Sequence, residues 1–239
     1  MRRVRYPACM TCNILLTGAS RGIGAACARI LTSPDTRLFA ASSRDADLSE
    51  PGGAERLWDS ALEALEGRID ILINNAGIFE ATSLDSDDAD WLADWQRTMT
   101  VNLEASALLC RKAVLHWQAR GSGGRIVNVA SRAAHRGDSP QHWHYAASKG
   151  GMVAMTKTIA RAYAAQGIYA FAVCPGFTMT GMAEDYLARR GGATLLADIP
   201  LGKVADPEEI AAIVKFLATD APPSMTGAIL DANGASYVR

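Results

Sequence analysis

Short apolar runs alternate along this chain with longer stretches of helical period, and that rhythm constrains the fold more than any other feature. NILLTG is followed by GIGAACARIL, RLFAAS by GGAERLWDSALEAL, DILINNAG by WLADWQRTMTVNLEASALLCRKAVLHW, and RIVNVAS by YAASKGGMVAMTKTIARAYAAQ. The strand YAFAVCPG, a polar insertion from Gly181 to Ile199, the helix DPEEIAAIVKFLAT and a last strand AILDANG complete the series. Strands buried on both faces read as continuous apolar runs, and the helices between them are the crossovers of a parallel sheet. The pattern therefore predicts an α/β protein with one doubly wound parallel sheet. Asp206 before Pro207, with Glu208 and Glu209 in the first turn, marks a helix start. At 239 residues and 49% hydrophobic, the chain can bury a substantial single core, and no repeat or Pro/Ser-rich linker divides it. We expect a basic leader over residues 1–12 and one domain over 13–239.

Charge and cysteine usage exclude several partners. The net charge of −1 gives no basic field to hold nucleic acid or anionic lipid. No apolar stretch approaches the ~20 residues of a membrane helix. Five irregularly placed cysteines do not make a disulfide framework, which points to a reducing, cytoplasmic compartment. Cys9 and Cys12 form a C-x-x-C without a second ligand pair, and no Cys or carboxylate completes a set with His135, His142 and His144. No metal is expected, and the histidines are expected in a polar loop over a cleft.

Thr17 to Gly24 reads TGASRGIG, at the change from first strand to first helix. Gly18, Gly22 and Gly24 let the backbone turn sharply and approach a pyrophosphate resting on the amides of a helix N-terminus. A Rossmann-type sheet then usually carries an acidic residue after its second strand, to bond the ribose hydroxyls. Here that strand ends in Ser42, Ser43 and Arg44. With Arg21 in the glycine loop, two guanidiniums and two hydroxyls suit a 2′-phosphate, so NADP(H) is expected. NAD(H) stays possible if Asp45 or Asp47 takes the ribose instead.

Tyr145 and Lys149, four residues apart in HWHYAASKGG, share one face of a helix. A fixed ammonium beside a phenol favours the phenolate and brings the group into proton-transfer range. With these residues in place the chain resembles the short-chain dehydrogenase/reductase family from Asn13 onward. TGASRGIG matches its cofactor loop, NNAG at Asn74 to Gly77 its fourth-strand signature, and Asn102 in TVNLEA, Ser131 in NVAS, Tyr145 and Lys149 its catalytic tetrad. Pro175, Gly176, Thr178 and Thr180 in PGFTMT look like the segment that holds the nicotinamide end. The resemblance implies further cofactor contacts from Ser20, Arg21, Ile23, Asn75, Ala76, Gly77, Tyr145 and Lys149. It also implies that Tyr145 exchanges a proton with the substrate oxygen, Lys149 tunes that phenol and bonds the nicotinamide ribose, Ser131 donates to the oxyanion, and Asn102 holds a water behind Lys149. The expected activity is NADPH-dependent reduction of a ketone or 3-oxoacyl group. Oxidation of a secondary alcohol, or NADP binding without turnover, are the other readings. The helices Trp91 to Trp117 and Tyr145 to Gln166 resemble those through which the family forms homodimers and homotetramers.

Two departures stand out. Only 56 residues separate Gly18 from Asn74, about a helix fewer than the family pattern. We expect SSRDADLS to run almost directly toward a third strand that is absent or displaced, with Asp47 and Leu48 as the pair against adenine. The loop between Ser131 and Tyr145 is one residue longer than expected, so His144 or Trp143 is expected to face the substrate. The closing segment GAILDANGASYVR resembles the 3-oxoacyl reductase branch, whereas Gln166 stands where an acyl-carrier-binding member would show a basic residue. A substrate lid is expected over 181–199, with Tyr186, Leu187, Leu195 and Leu196 apolar and Arg189 and Arg190 available to an acid.

Overall fold

A computed structural model of the protein describes residues 11–179 and 196–239. Six parallel strands form one sheet in the order β2-β1-β3-β4-β5-β6. They are β1 (Cys12–Leu16), β2 (Thr36–Ala40), β3 (Ile71–Asn74), β4 (Gly124–Val129), β5 (Ile168–Pro175) and β6 (Ile229–Ala232). The helices are α1 (Gly22–Leu31), α2 (Gly53–Ala64), α3 (Asp88–Met99), α4 (Ala105–Ala119), α5 (Ala133–Arg136), α6 (Trp143–Tyr163) and α7 (Pro207–Lys215).

The period of two within each strand divides the core into two layers. Leu15, Leu72, Ile126 and Ala170 point to one face, where α2, α4 and α6 cover them with Leu57, Trp58, Leu109, Trp117 and Ile159. Ile14, Leu16, Ile73, Val127 and Phe171 point to the other, beneath Cys27 and Leu31 of α1 and Ile210 and Val214 of α7. This is the doubly wound arrangement that the alternation predicts. The start of α7 is a capping box: Asp206 accepts from the Glu209 amide and the Glu209 side chain accepts from the Asp206 amide at 2.9 Å.

The shortened region is the main departure from the family pattern. Among the described residues no strand lies beyond β2, so β2 is the sheet edge, and the NNAG strand is the third in the chain. SSRDADLS does not run on as strand. The Asp45 carboxylate accepts from the amide and hydroxyl of Ser42, and that of Asp47 from the amide and hydroxyl of Ser49. Such local bonds give the backbone partners that a ladder would otherwise supply, and they favour turns. The chain then enters α2 and crosses to β3 on the far side of β1. Strand order therefore reverses between β1 and β3, and ligands bind such sheets at that crevice, beyond the carboxyl ends of the strands.

Between α3 and α4 the helix widens into one π-turn, Thr100–Glu104, which carries Asn102. Such turns insert one extra residue and often mark functional positions.

Candidate active site

A cavity of about 480 Å³ opens over the carboxyl ends of β1, β3, β4 and β5. One end is walled by Gly18, Ser20, Arg21, Gly22, Ile23 and Gly24 after β1, and by Ser43, Asp47 and Leu48 after β2. Asn75, Ala76 and Gly77 after β3 form its floor, while Ser131, Tyr145, Lys149, Pro175, Gly176 and Thr178 close the other end. Two expected residues fall outside the lining: Arg44, whose side chain is exposed, and Asn102, which is fully buried. Thr180, with Tyr186, Leu187, Arg189, Arg190 and Leu195 of the expected lid, lies outside the described residues.

The glycine loop is shaped for close approach. Gly18 has a φ of +67°, in the left-handed region, and a Cβ on Gly24 would sit 2.0 Å from the Gly18 carbonyl oxygen. The Asn75 side chain ties this loop to β3 by donating to the carbonyls of Thr17 and Gly18 at 3.1 and 3.0 Å. The Thr17 hydroxyl accepts from the amides of Asn75 and Ala76, both at 3.0 Å. The donor set, the bare backbone and the volume fit a dinucleotide. Its pyrophosphate would lie on the glycine loop at the start of α1 and its nicotinamide near Pro175 and Gly176.

At the other end, the turn after β4 and the helix α6 deliver three side chains. Ser131 follows β4, and its oxygen accepts from the Ala133 amide at 3.1 Å while its side chain also bonds the Tyr145 phenol. Lys149, one helical turn after Tyr145, is buried and donates to the Val129 carbonyl at 2.9 Å. Its Nζ lies 5.9 Å from the centre of the Tyr145 ring.

Electrostatics corrects the expectation from spacing. Burial pushes the Tyr145 phenol up to about 12, outweighing the Ser131 bond that pulls it down, and Asp138 and Cys174 raise it further. Burial brings Lys149 down to about 8. Without cofactor, desolvation dominates the neighbouring ammonium, and the Tyr145 phenol is held protonated. Asn102 also has a structural part. Its side-chain oxygen accepts from the Ile78 amide at 2.8 Å and its amide donates to the Ile78 carbonyl at 3.0 Å, so the side chain ties the NNAG turn to the π-turn.

Neither His144 nor Trp143 faces the cavity. His144 is buried against Trp95 and lies 3.2 Å from the Thr82 hydroxyl, and Trp143 points outward with its edge toward Trp91. The cavity wall near Tyr145 comes instead from Phe79, Arg132, Asp138 and Phe177. Phe79 stacks on His142 at 3.9 Å and meets Tyr145 edge-on at 4.8 Å. Arg132 covers the Phe177 ring at 4.7 Å and, with Arg136, holds Asp198 at 3.3 and 2.8 Å. Ile199 is buried on Val204, Phe177 and Met179, so the described end of the expected lid is anchored to this wall. No motif marks Phe79 or Arg132; both merely adjoin residues that motifs do mark.

The comparisons with known proteins agree with this geometry. The family model described as Enoyl-(Acyl carrier protein) reductase matches residues 36–234. The chain belongs to the short-chain dehydrogenase/reductase family. It is 36% identical to a 3-oxoacyl-(acyl-carrier-protein) reductase of Synechocystis sp., covering 92% of this chain and 94% of that one. With the cis-4-hydroxycyclohexanecarboxylate dehydrogenase of Sinomonas cyclohexanicum it shares 35% identity, over 92% and 94% of the two chains. A solved structure of a putative 2-deoxy-d-gluconate 3-dehydrogenase from Agrobacterium tumefaciens, with bound NADP, superposes with a TM-score of 0.81 at 27% identity, covering 98% of this chain and all of that one. As a member of this family the protein is an oxidoreductase that uses a nicotinamide dinucleotide.

Proposed function

We propose that this protein is an NADPH-dependent carbonyl reductase acting on a ketone or 3-oxoacyl substrate. The convergence of Ser131, Tyr145 and Lys149 on the cavity that also holds the glycine loop carries the reading. NADPH supplies the hydride when bound; the protein supplies position and the proton. Tyr145, protonated at neutral pH, gives its proton to the carbonyl oxygen as charge develops there, and Ser131 donates to the same oxygen. Lys149 bonds the nicotinamide ribose and turns its positive field on the phenol. Gly18, Ser20, Gly22, Ile23 and Gly24 hold the pyrophosphate end, with the Arg21 side chain reaching past it to the 2′-phosphate; Asp47 and Leu48 bound the adenine. Asn75, Ala76, Gly77, Pro175, Gly176, Thr178 and Thr180 position the nicotinamide half. Asn102 acts by fixing the floor beneath Gly77.

The preference for NADP(H) rests on Arg21 and Ser43 at the adenosine end. Asp45 and Asp47 support it in a second way, because each spends its carboxylate on its own turn. The 3-oxoacyl reductases among the relatives favour that substrate type. Gln166, whose side-chain oxygen accepts from Gln118 at 2.9 Å, supplies no positive charge for an acidic carrier. Free 3-oxoacyl thioesters and small ketones are therefore the first substrates to test. Exposed Leu92, Leu108, Leu115 and Trp143 on α3, α4 and α6 support assembly through these helices as a homodimer or homotetramer. The free thiols of Cys27, Cys110 and Cys174 suit a reducing cytoplasm.

A panel of ketones, 3-oxoacyl thioesters and keto sugars, followed by NADPH absorbance, tests the function. Consumption with at least one class is expected. Tight NADPH binding without consumption on any of them would favour a non-catalytic binding protein.

A further inference from the structure

Folding brings together three metal-binding side chains that lie far apart in the sequence. His135 stands on α5, just after the turn that carries Ser131. Cys174 and Asp231 are register partners on the neighbouring strands β5 and β6. One ligand atom from each lies within 4.8 Å of the other two, and the Cys174 Sγ is 3.6 Å from the His135 Nε2. From the sequence no Cys or carboxylate completes a ligand set with the histidines; the sheet supplies both.

We propose that His135, Cys174 and Asp231 form a binding site for a thiophilic divalent cation of the Zn²⁺ type, outside the cofactor cavity. Zinc bonds to sulfur at ~2.3 Å and to imidazole nitrogen at ~2.0–2.1 Å, so a tetrahedral site sets sulfur and nitrogen ~3.5 Å apart. The observed 3.6 Å matches that edge. One thiolate, one imidazole and one carboxylate make a mixed set that suits zinc, with the fourth position left for water. The site opens to solvent at Asp231 and is closed behind by Cys174, packed against Ala130, Met152 and Val153.

Other groups shape the site. The Tyr237 ring lies parallel to His135, its centre 5.8 Å away, which fixes the imidazole plane. Arg239 donates to the Asp231 carboxylate at 2.9 Å and is the cation that a metal must displace; Lys157 adds a weaker positive field on His135. Burial and these charges lower the His135 pKa, which keeps the ring neutral and able to ligate. Burial pushes the Cys174 thiol up to about 11, so binding the metal expels one proton to solvent as the sulfur–metal bond forms. The Ser131 amide bonds the Cys174 sulfur, which couples the site to the segment that carries a catalytic hydroxyl. The proposal does not depend on the substrate or direction of the reaction.

Co²⁺ titrated into the chelator-treated full-length protein is the test. One equivalent should give tetrahedral visible absorption with a thiolate-to-cobalt band in the near ultraviolet, and Zn²⁺ should bleach both. Cys174→Ser should abolish the thiolate band. Asp231→Asn should weaken binding by on the order of ten- to hundredfold, and Arg239→Gln, by freeing the carboxylate, should tighten it severalfold. A thiolate band that persists in Cys174→Ser, or vanishes in Cys12→Ser, would overturn the proposal. Should Cys174→Ser fail to fold, the two surface variants decide: Co²⁺ affinity unchanged in Asp231→Asn, or weakened in Arg239→Gln, would equally overturn it.

Discussion

The two ends of the cavity are built on different principles. At the catalytic end, Ser131 and Lys149 are buried, they and Tyr145 come from β4 and α6, and their polar atoms are held by the core itself, as in the bond from Lys149 to the Val129 carbonyl. At the adenosine end the sheet stops at β2, and Ser43 and Asp47 stand on exposed turns held by bonds a few residues long. Proton transfer needs shifted pKa values and fixed geometry, which only burial on rigid elements supplies. A phosphate and a ribose need only donors within reach. A chain can therefore lose a peripheral strand and its helix at one end while the other is retained whole.

If that contrast is right, the largest effect belongs to the catalytic end. Tyr145→Phe keeps the ring packed on Phe79 and removes the proton donor. Turnover should fall by roughly 10²–10⁴ with NADPH affinity nearly unchanged, measured by single-turnover kinetics and cofactor fluorescence. A variant that keeps more than about a tenth of the activity would remove Tyr145 from the reaction.

Arg21→Ala probes the other end and should have a smaller, selective effect. Charge-assisted bonds to a 2′-phosphate translate into a loss on the order of ten- to hundredfold in kcat/KM with NADPH, and little change with NADH. Equal losses with both cofactors would show that Arg21 reads only the pyrophosphate, and would reopen the NAD(H) alternative.

The same contrast explains what could be read from the chain. The helix-covered parallel sheet, and the placing of Ser131, Tyr145 and Lys149 on one cavity, follow from strand periodicity and from motifs that lie close together in the sequence. Tyr145 and Lys149 do share a helix face, yet spacing alone predicted a phenol lowered by its ammonium, because spacing carries no measure of desolvation. Asn102 was placed correctly on its long helix, but its bonds to Ile78 depend on a π-turn that no periodicity reveals. His144 was misplaced for a similar reason: which of three histidines enters a cavity depends on Thr82 and Trp95, some 50 to 60 residues earlier. SSRDADLS was expected to run almost directly toward a third strand; the side-chain bonds of Asp45 and Asp47 instead fold it into turns, because such local bonds compete with a ladder.

The pH profile separates Tyr145 from Lys149. Tyr145 stays protonated until about 12, so across the neutral range the proton donor does not change state. Lys149 loses its charge as pH rises through about 8. Reductive kcat/KM, which reports the free enzyme, should be flat below that value and decline above it by severalfold. Lys149→Arg, which cannot deprotonate in this range, should be slower but should lose the decline. A wild-type profile flat to well above 8 would show that the reaction does not require the ammonium.

The smallest expected effect lies where the two building principles meet. Asp198 is held by Arg132, which is nearly buried, and by Arg136, about a third exposed, while its own carboxylate is 46% exposed. Solvent screens such a pair, so Asp198→Asn should change folding stability by less than ~1 kcal/mol. Its removal leaves two guanidiniums side by side at the cavity wall, where burial and then Arg136 already lower the Arg132 pKa. The wall should loosen and KM for the carbonyl substrate should rise severalfold, with kcat and NADPH affinity preserved. Equal loss of kcat would mean that Asp198 also sets the position of Ser131, through Arg132 next to it, and the catalytic end would then be less self-sufficient than its burial implies.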